Sequence, residues 1–359
     1  MRLTLAPSLG PGIHRSALRR LMAGLSIAAA LAAAACGSAS SRPSSTARRS
    51  TARPSSSTTA TASGPASGAA TSSATSTTAL PGTGKPAITI GDKNYTEQFV
   101  LGELYLQALE AQGFTVQLNR NIGPTDVTLQ ALQTGSLAMY PEYLNVFDSA
   151  VAHSARAFHS QGAAYAAARR YAAAHGLALL AATPFSDTVT LGVTVGYAQA
   201  NEVRSLPDLT RLSPPVTIGG PPQFQTGQPG LATVEQAYGL RPSAFTNLDV
   251  GAQYAALDDG SVQAAYMETT DGQLASGDYA ALRDPAHVFG WGNVVPVAAA
   301  SVMAAEGPVF AATIDRVSSL LTTAVMRRLN QAVDIAQQDP ATVATQFLET
   351  HGLIAPVTP

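Results

Sequence analysis

The chain has 359 residues and divides sharply in charge: the first 85 carry nine Lys or Arg and no acidic residue, and the rest carries 12 basic and 23 acidic residues, a net of −11. Such an acidic body is repelled by phosphate backbones and anionic headgroups, which argues against nucleic acid and direct membrane-surface binding and favours a cationic ligand. The length suits one large domain or two smaller ones, and a single cysteine leaves the exported body to be held by its core alone.

His14, Arg15, Arg19 and Arg20 precede the apolar run "LMAGLSIAAALAAAA", so residues 1–35 read as an export signal too short to span a bilayer. Cys36 follows directly, and "AAAAC" resembles a bacterial lipobox with Ala33 where Leu is preferred. This implies cleavage before Cys36 and a lipid anchor on its thiol; the alternative is a free cysteine beside an ordinary signal peptidase site. Residues 36–85 are almost purely Ser, Thr, Ala, Pro and Gly with scattered Arg, the composition of a disordered tether with a mean reach on the order of 40 Å. "LPGTGK" at 80–85 lacks the spacing of a phosphate loop.

From Ala87 the periodicity alternates between strand and helix. "AITI" reads as a strand; Leu101, Leu104, Tyr105 and Ala108 share a helical face that Gly113 ends; "FTVQL" alternates as a strand. A helix over "GPTDVTLQALQTG" and a strand "SLAMY" ended by Pro141 complete β-α-β-α-β, which calls for a mostly parallel sheet. An Ala-rich helix at 161–175, strands "TVTLGVTV" and "PVTIGG", a helix "LATVEQAYGL", a helix-then-strand unit "GAQYAALDDGSVQAAYM", a strand "NVVPVAAASVM" and two closing helical stretches follow. The simplest account is two α/β units, one interrupting the other, with a ligand cleft between them. The boundaries expected are 86–190 and 295–359 for the first lobe and 191–294 for the second.

Two constellations stand out. In "GDKNYTE", Asn94 and Glu97 have the spacing of a capping pair, which places a helix N-terminus, an anion site by its free N–H groups, at the end of the first strand. Lys93, the only lysine after residue 85, adds a full positive charge there; the bland reading is a solvated surface lysine. Separately, Tyr140 and Tyr143 of "YPEY", Tyr266 and the single tryptophan Trp291 in "GWGN" fall at strand ends. Rings at a cleft can box a quaternary ammonium by cation–π attraction, each contributing ~0.5–2 kcal/mol, whereas most tyrosines fill cores.

"IGDKNYTEQFVLGELYLQALEAQGF", "ALQTGSLAMYPEY" and "YAALDDGSVQAAYMETTDGQL" resemble the substrate-binding proteins of ABC importers for glycine betaine, carnitine, choline and related osmoprotectants, over residue 87 to the C-terminus. The resemblance implies an α/β, two-lobed periplasmic-binding-protein fold of type II, in which Lys93 helps hold a ligand carboxylate; Asn94 beside it is a further candidate ligand-binding residue. It implies that Tyr143, Asp187, Tyr266 and, one position out of register, Trp291 contribute to an aromatic box. It further implies a permease with its ATPase as partner, a monomer, and attachment to the outer face of the cytoplasmic membrane through Cys36. The sequence departs from the family pattern where Val146, Val189 and Gly227 stand for a Thr, a Tyr and a clamp Arg, which points away from glycine betaine and towards a ligand with less carboxylate character, such as choline. Other solutes on the same fold, or a sensor or scaffold working without an importer, remain alternatives. No G-x-S-x-G elbow is present, His153 and His159 fall on different helical faces, and "LDDG" at 257–260 is a helix-ending turn. No catalytic residue, metal or cofactor is therefore expected.

Overall fold

A computed structural model describes residues 79–356; the export signal, Cys36 and most of the tether lie outside them. Residues 80–85, assigned to the tether by composition, fold back on the body: the Gly82 N–H donates to Gln112 O at 2.8 Å and Lys85 Nζ to Ala305 O at 2.7 Å.

Strands β1 (Ile88–Gly91), β2 (Val116–Asn119), β3 (Met139–Tyr143), β4 (Leu177–Leu179), β5 (Val189–Thr194), β6 (Thr217–Gly220), β7 (Ala244–Asn247), β8 (Ala264–Glu268), β9 (Tyr279–Ala281) and β10 (Val294–Ala299) form two five-stranded sheets. Their orders are β2-β1-β3-β10-β4 and β7-β6-β8-β5-β9. In each, three neighbouring strands run parallel, as the alternation of strand and helix requires, and the strand entering from the other lobe (β10 or β5) pairs antiparallel to the third of them. Helix Thr96–Ala111 packs Leu101, Leu104, Tyr105 and Ala108 into the first core with Phe310 and Leu348. On the other face of that sheet, helix Gln161–Ala174 buries Ala164, Ala168 and Ala172 at four-residue spacing, and Ser160 caps it by accepting the Ala163 N–H at 3.2 Å. A second core around Leu191, Ile218 and Phe224 serves the other sheet.

Two boundaries differ from the sequence reading. Pro141 does not end β3 but lies inside it, opposite Pro296 of β10. Both lack an N–H, and an antiparallel ladder contains pairs that exchange no such bonds, so the two missing donors fall together. The strand expected over "NVVPVAAASVM" stops at Ala299, and Ala300–Glu306 turns into helix.

The lobes are joined where the segments 184–188 and 290–293 cross. Ser186 bridges Asn293, the Asp187 N–H donates to Gly292 O at 2.9 Å, and Asn293 Nδ2 donates to Thr183 O and Phe185 O at 2.9 and 3.0 Å. A Cβ on Gly292 would lie 1.6 Å from the Asp187 carbonyl oxygen, so only glycine permits the crossing. A further link comes from helix Thr323–Asn330: Arg327 Nε donates to Thr269 O at 2.8 Å and Asn330 Nδ2 to Thr270 O at 2.9 Å.

Candidate ligand cleft

The polar run after β1 separates into residues that turn inward and residues that face the cleft. Lys93 is 3% exposed and Glu142 fully buried, and Lys93 Nζ is ion-paired to the Glu142 carboxylate. That carboxylate also accepts from Thr125 Oγ1 at 3.0 Å and from the Tyr143 N–H at 2.7 Å. The anion expected beside Lys93 is thus supplied by the chain itself. Burial pushes the lysine ammonium below its ordinary value, and the Glu142 charge opposes that shift. Lys93 does not line the cleft; it sits behind it, 5.6 Å from the centre of the Tyr143 ring.

Asn94 does line the cleft but does not cap the helix. The cap position belongs to Tyr95, extended at φ −152°, ψ 159°, and no side chain caps it. Glu97, expected to complete a capping pair, is instead drawn inward: it accepts the Tyr143 hydroxyl at 2.7 Å and Asn330 Nδ2 at 2.9 Å. The extended backbone at Tyr95 directs its ring against that of Tyr143, with centroids 5.9 Å apart and planes 26° from parallel. These two rings form the wall contributed by the first lobe.

The opposite wall comes from β5 and β8. Val189 pairs with Glu268 and Leu191 with Tyr266, so the two-residue period of a strand sends Asp187, Val189, Tyr266 and Glu268 to one face. All four line a cavity of about 670 Å³ together with Tyr95, Tyr143, Val146 and Asp271. Tyr266 donates its hydroxyl to Glu268 Oε1 at 2.9 Å, and its ring packs on Phe224 at 5.3 Å. Asp271 Oδ2 accepts from the Tyr254 hydroxyl at 2.5 Å and the Glu268 N–H at 3.1 Å.

Crowded carboxylates resist ionisation. The Asp187 charge, then burial and Asp271, push Glu268 up to about 8, and burial pushes Glu97 up to about 7. Burial, reinforced by the Glu97 charge, holds Asp187 well above the carboxylate range, and burial also raises Asp271. A cation in this space would restore the ionised forms.

Trp291 is not brought to this cleft. It lines a separate, larger cavity of about 870 Å³ with Arg327, His287 and Asn293. Its Nε1 donates to Phe158 O at 3.1 Å and its ring stacks on His287 at 3.9 Å. The larger space has one indole against the three tyrosines of the smaller one, so size alone does not identify the ligand site. Val146 and Val189 are apolar wall, whereas Gly227 follows the short helix Pro222–Thr226 and lies outside the lining; Gln223 from that helix reaches in. Tyr140 is fully buried in a core. Sequence reasoning missed Tyr95, Glu268 and Asp271. Glu268 was findable, since it follows Tyr266 by two residues on the same strand face.

Residues 86–350 match the family described as the substrate binding domain of ABC-type glycine betaine transport systems. The glycine-betaine-binding protein of Pseudomonas aeruginosa is 30% identical over 278 residues, covering 74% of this chain and 88% of that one. The glycine betaine-binding protein YehZ of Escherichia coli K12 is 27% identical over 288 residues, covering 76% and 93%. Among solved structures, a glycine betaine/carnitine/choline ABC transporter protein superposes with a TM-score of 0.70 at 20% identity, over 74% of this chain and 99% of that one. Apo YehZ of Escherichia coli gives 0.66 at 26% identity over the same shares. The fold is that of the type II periplasmic substrate-binding proteins. A family match spanning residues 86–350 and a relative 30% identical across most of both chains establish that this chain belongs to the substrate-binding proteins of ABC-type glycine betaine transport systems.

Proposed function

We propose that the chain captures a quaternary-ammonium solute in the cleft between its lobes, outside the cytoplasmic membrane, and delivers it to an ABC permease with its ATPase. The observation that carries this reading is the convergence of Tyr95, Tyr143 and Tyr266 with Asp187 and Glu268 on one cavity of about 670 Å³. Each ring face contributes ~0.5–2 kcal/mol to holding a desolvated cation, and the carboxylates supply its counter-charge. Because the rings belong to different lobes joined by two crossing segments, a bound cation touches both walls and shifts the population towards the closed form that a permease engages.

In the same reading Cys36 carries the lipid after removal of residues 1–35, and the following Ser/Thr-rich segment tethers a monomeric body to the outer face of the membrane. No chemical step is assigned: no Ser, Cys or His lines the cleft among the described residues. Calorimetric titration of the purified chain with glycine betaine, choline, carnitine and proline betaine tests the proposal. Saturable heat from at least one is expected, and no heat from any of the four overturns it.

A further inference from the structure

We infer that this cleft selects by charge: it takes organic cations that carry no carboxylate, of the choline type, in preference to zwitterions such as glycine betaine, with Asp187 and Glu268 as the specificity-determining residues. This rests on the reading of the cleft as a quaternary-ammonium site. The first observation is what the cavity lacks. Among the described residues that line it there is no Lys, Arg or His. Lys93, the lysine placed to meet a carboxylate, is buried against Glu142, and Glu142 is held in that pairing by Thr125 Oγ1 and the Tyr143 N–H. Arg327 lines the other cavity and gives its Nε–H to Thr269 O. Val146 and Val189 add apolar surface, and Gly227 stands outside the lining.

The second observation is what the cavity holds instead. Asp187, Glu268 and Asp271 line it, and Glu97 lies behind the Tyr143 ring. Their hydrogen-bond donors are all neutral groups. Glu268 takes the Tyr266 hydroxyl on Oε1, and Asp271 takes two donors on Oδ2. Asp187 takes hydrogen bonds from the Thr270 side chain and backbone and lies 3.5 Å from Thr269 Oγ1. Three carboxyl groups therefore stand in a lining that holds no Lys, Arg or His, next to three ring faces, and a cation is the partner that lets them ionise. A trimethylammonium group satisfies both features at once, whereas the carboxylate of a zwitterion adds a further like charge and finds no cation to receive it. Gln223 and Gln253, which also line the space, can hydrogen-bond a neutral hydroxyl but offer no charge to a carboxylate.

Calorimetric titration of the purified chain at pH 8 with choline and with glycine betaine separates the outcomes. The inference expects choline to bind at least tenfold more tightly. It also expects Asp187→Asn with Glu268→Gln to weaken choline tenfold or more and glycine betaine by a smaller factor, narrowing the preference, with thermal melting used to show that the variant is folded. Glycine betaine binding as tightly as choline to the unaltered protein overturns the inference and leaves the quaternary-ammonium reading standing. Binding of neither overturns the inference, and the quaternary-ammonium reading falls with it if carnitine and proline betaine also give no heat. The comparison on the unaltered chain decides the matter even if the double variant fails to fold.

Discussion

Replacing Lys93 by Met separates two roles for this lysine. With Lys93 3% exposed and Glu142 at 0%, the substitution strands a carboxylate that water cannot reach. Breaking a buried pair from one side costs about 3–5 kcal/mol. Glu142 keeps two donors, Thr125 Oγ1 and the Tyr143 N–H, which places the loss near the lower end, about 3 kcal/mol. At roughly 2–4 °C per kcal/mol for a body of this size, the ligand-free melting midpoint should fall by about 6–12 °C. Lys93→Met combined with Glu142→Gln, which removes the stranded charge, keeps an acceptor oxygen for the Tyr143 N–H and turns the amide NH2 to the Thr125 hydroxyl oxygen, should recover most of that. Differential scanning calorimetry of the two variants, with choline and glycine betaine titrations of each, provides the test. A midpoint within about 1 °C of the parent, accompanied by selective loss of glycine betaine binding, would show that Lys93 serves a ligand carboxylate and would refute the pairing argument.

Choline affinity should rise between pH 6 and pH 8, by up to about tenfold per pH unit for each proton released, because Glu97 and Glu268 are raised to about 7 and about 8 and a bound cation favours their ionised forms; a flat profile argues against carboxylate counter-charges. The sign reverses for the ligand-free protein: the folded state holds these protons more tightly than the unfolded chain, so the stability they contribute is present at low pH and is lost as pH rises through about 7 to 8. Melting curves from pH 6 to 8.5, with and without saturating choline, should therefore converge at the acidic end. Tyr95→Ala should weaken choline by about 2- to 30-fold, the worth of one ring face, whereas Trp291→Phe should change it less than about twofold because Trp291 lies in the other cavity; a larger loss in the latter places the indole in the binding path. Gly292→Ala should fail to fold or melt far below the parent, since its Cβ would lie 1.6 Å from the Asp187 carbonyl oxygen; a parent-like melting curve contradicts the crossing geometry.

The alternation of strand and helix was legible because each element buries one face, and a period of 2 or 3.6 records that burial along the chain. Short strands such as β4 (Leu177–Leu179) and β9 (Tyr279–Ala281), three residues each, leave no such record. Family resemblance pointed to Tyr143, Asp187 and Tyr266, and all three line the cleft. It also pointed to Lys93, and there local sequence is silent about the decisive fact: the partner Glu142 lies 49 residues away and becomes a neighbour only when β1 and β3 pair. The capping signature of Asn94 and Glu97 misled for a related reason. Tyr143 and Asn330 compete for the Glu97 carboxylate, and contacts across 46 and 233 residues outweigh a three-residue motif. Family resemblance set Trp291 one position out of register with a box aromatic, and that one position matters: the indole lies in the other cavity, and the next residue, Gly292, answers to the Asp187 backbone.

The close approach at Gly292 bears on how a ligand is captured. Asp187 belongs to the fulcrum: its N–H is bonded to Gly292 O, its carbonyl presses on the same residue, and its carboxylate looks into the cavity. A point near a rotation axis travels least when two bodies turn about it. On the proposed function, the protein therefore presents this carboxyl already in final position, and an arriving cation can draw off its proton before either lobe moves. Capture and closure become separable steps, the first sensitive to pH through the proton on Asp187 and the second governed by how well the Tyr95, Tyr143 and Tyr266 rings meet around the solute.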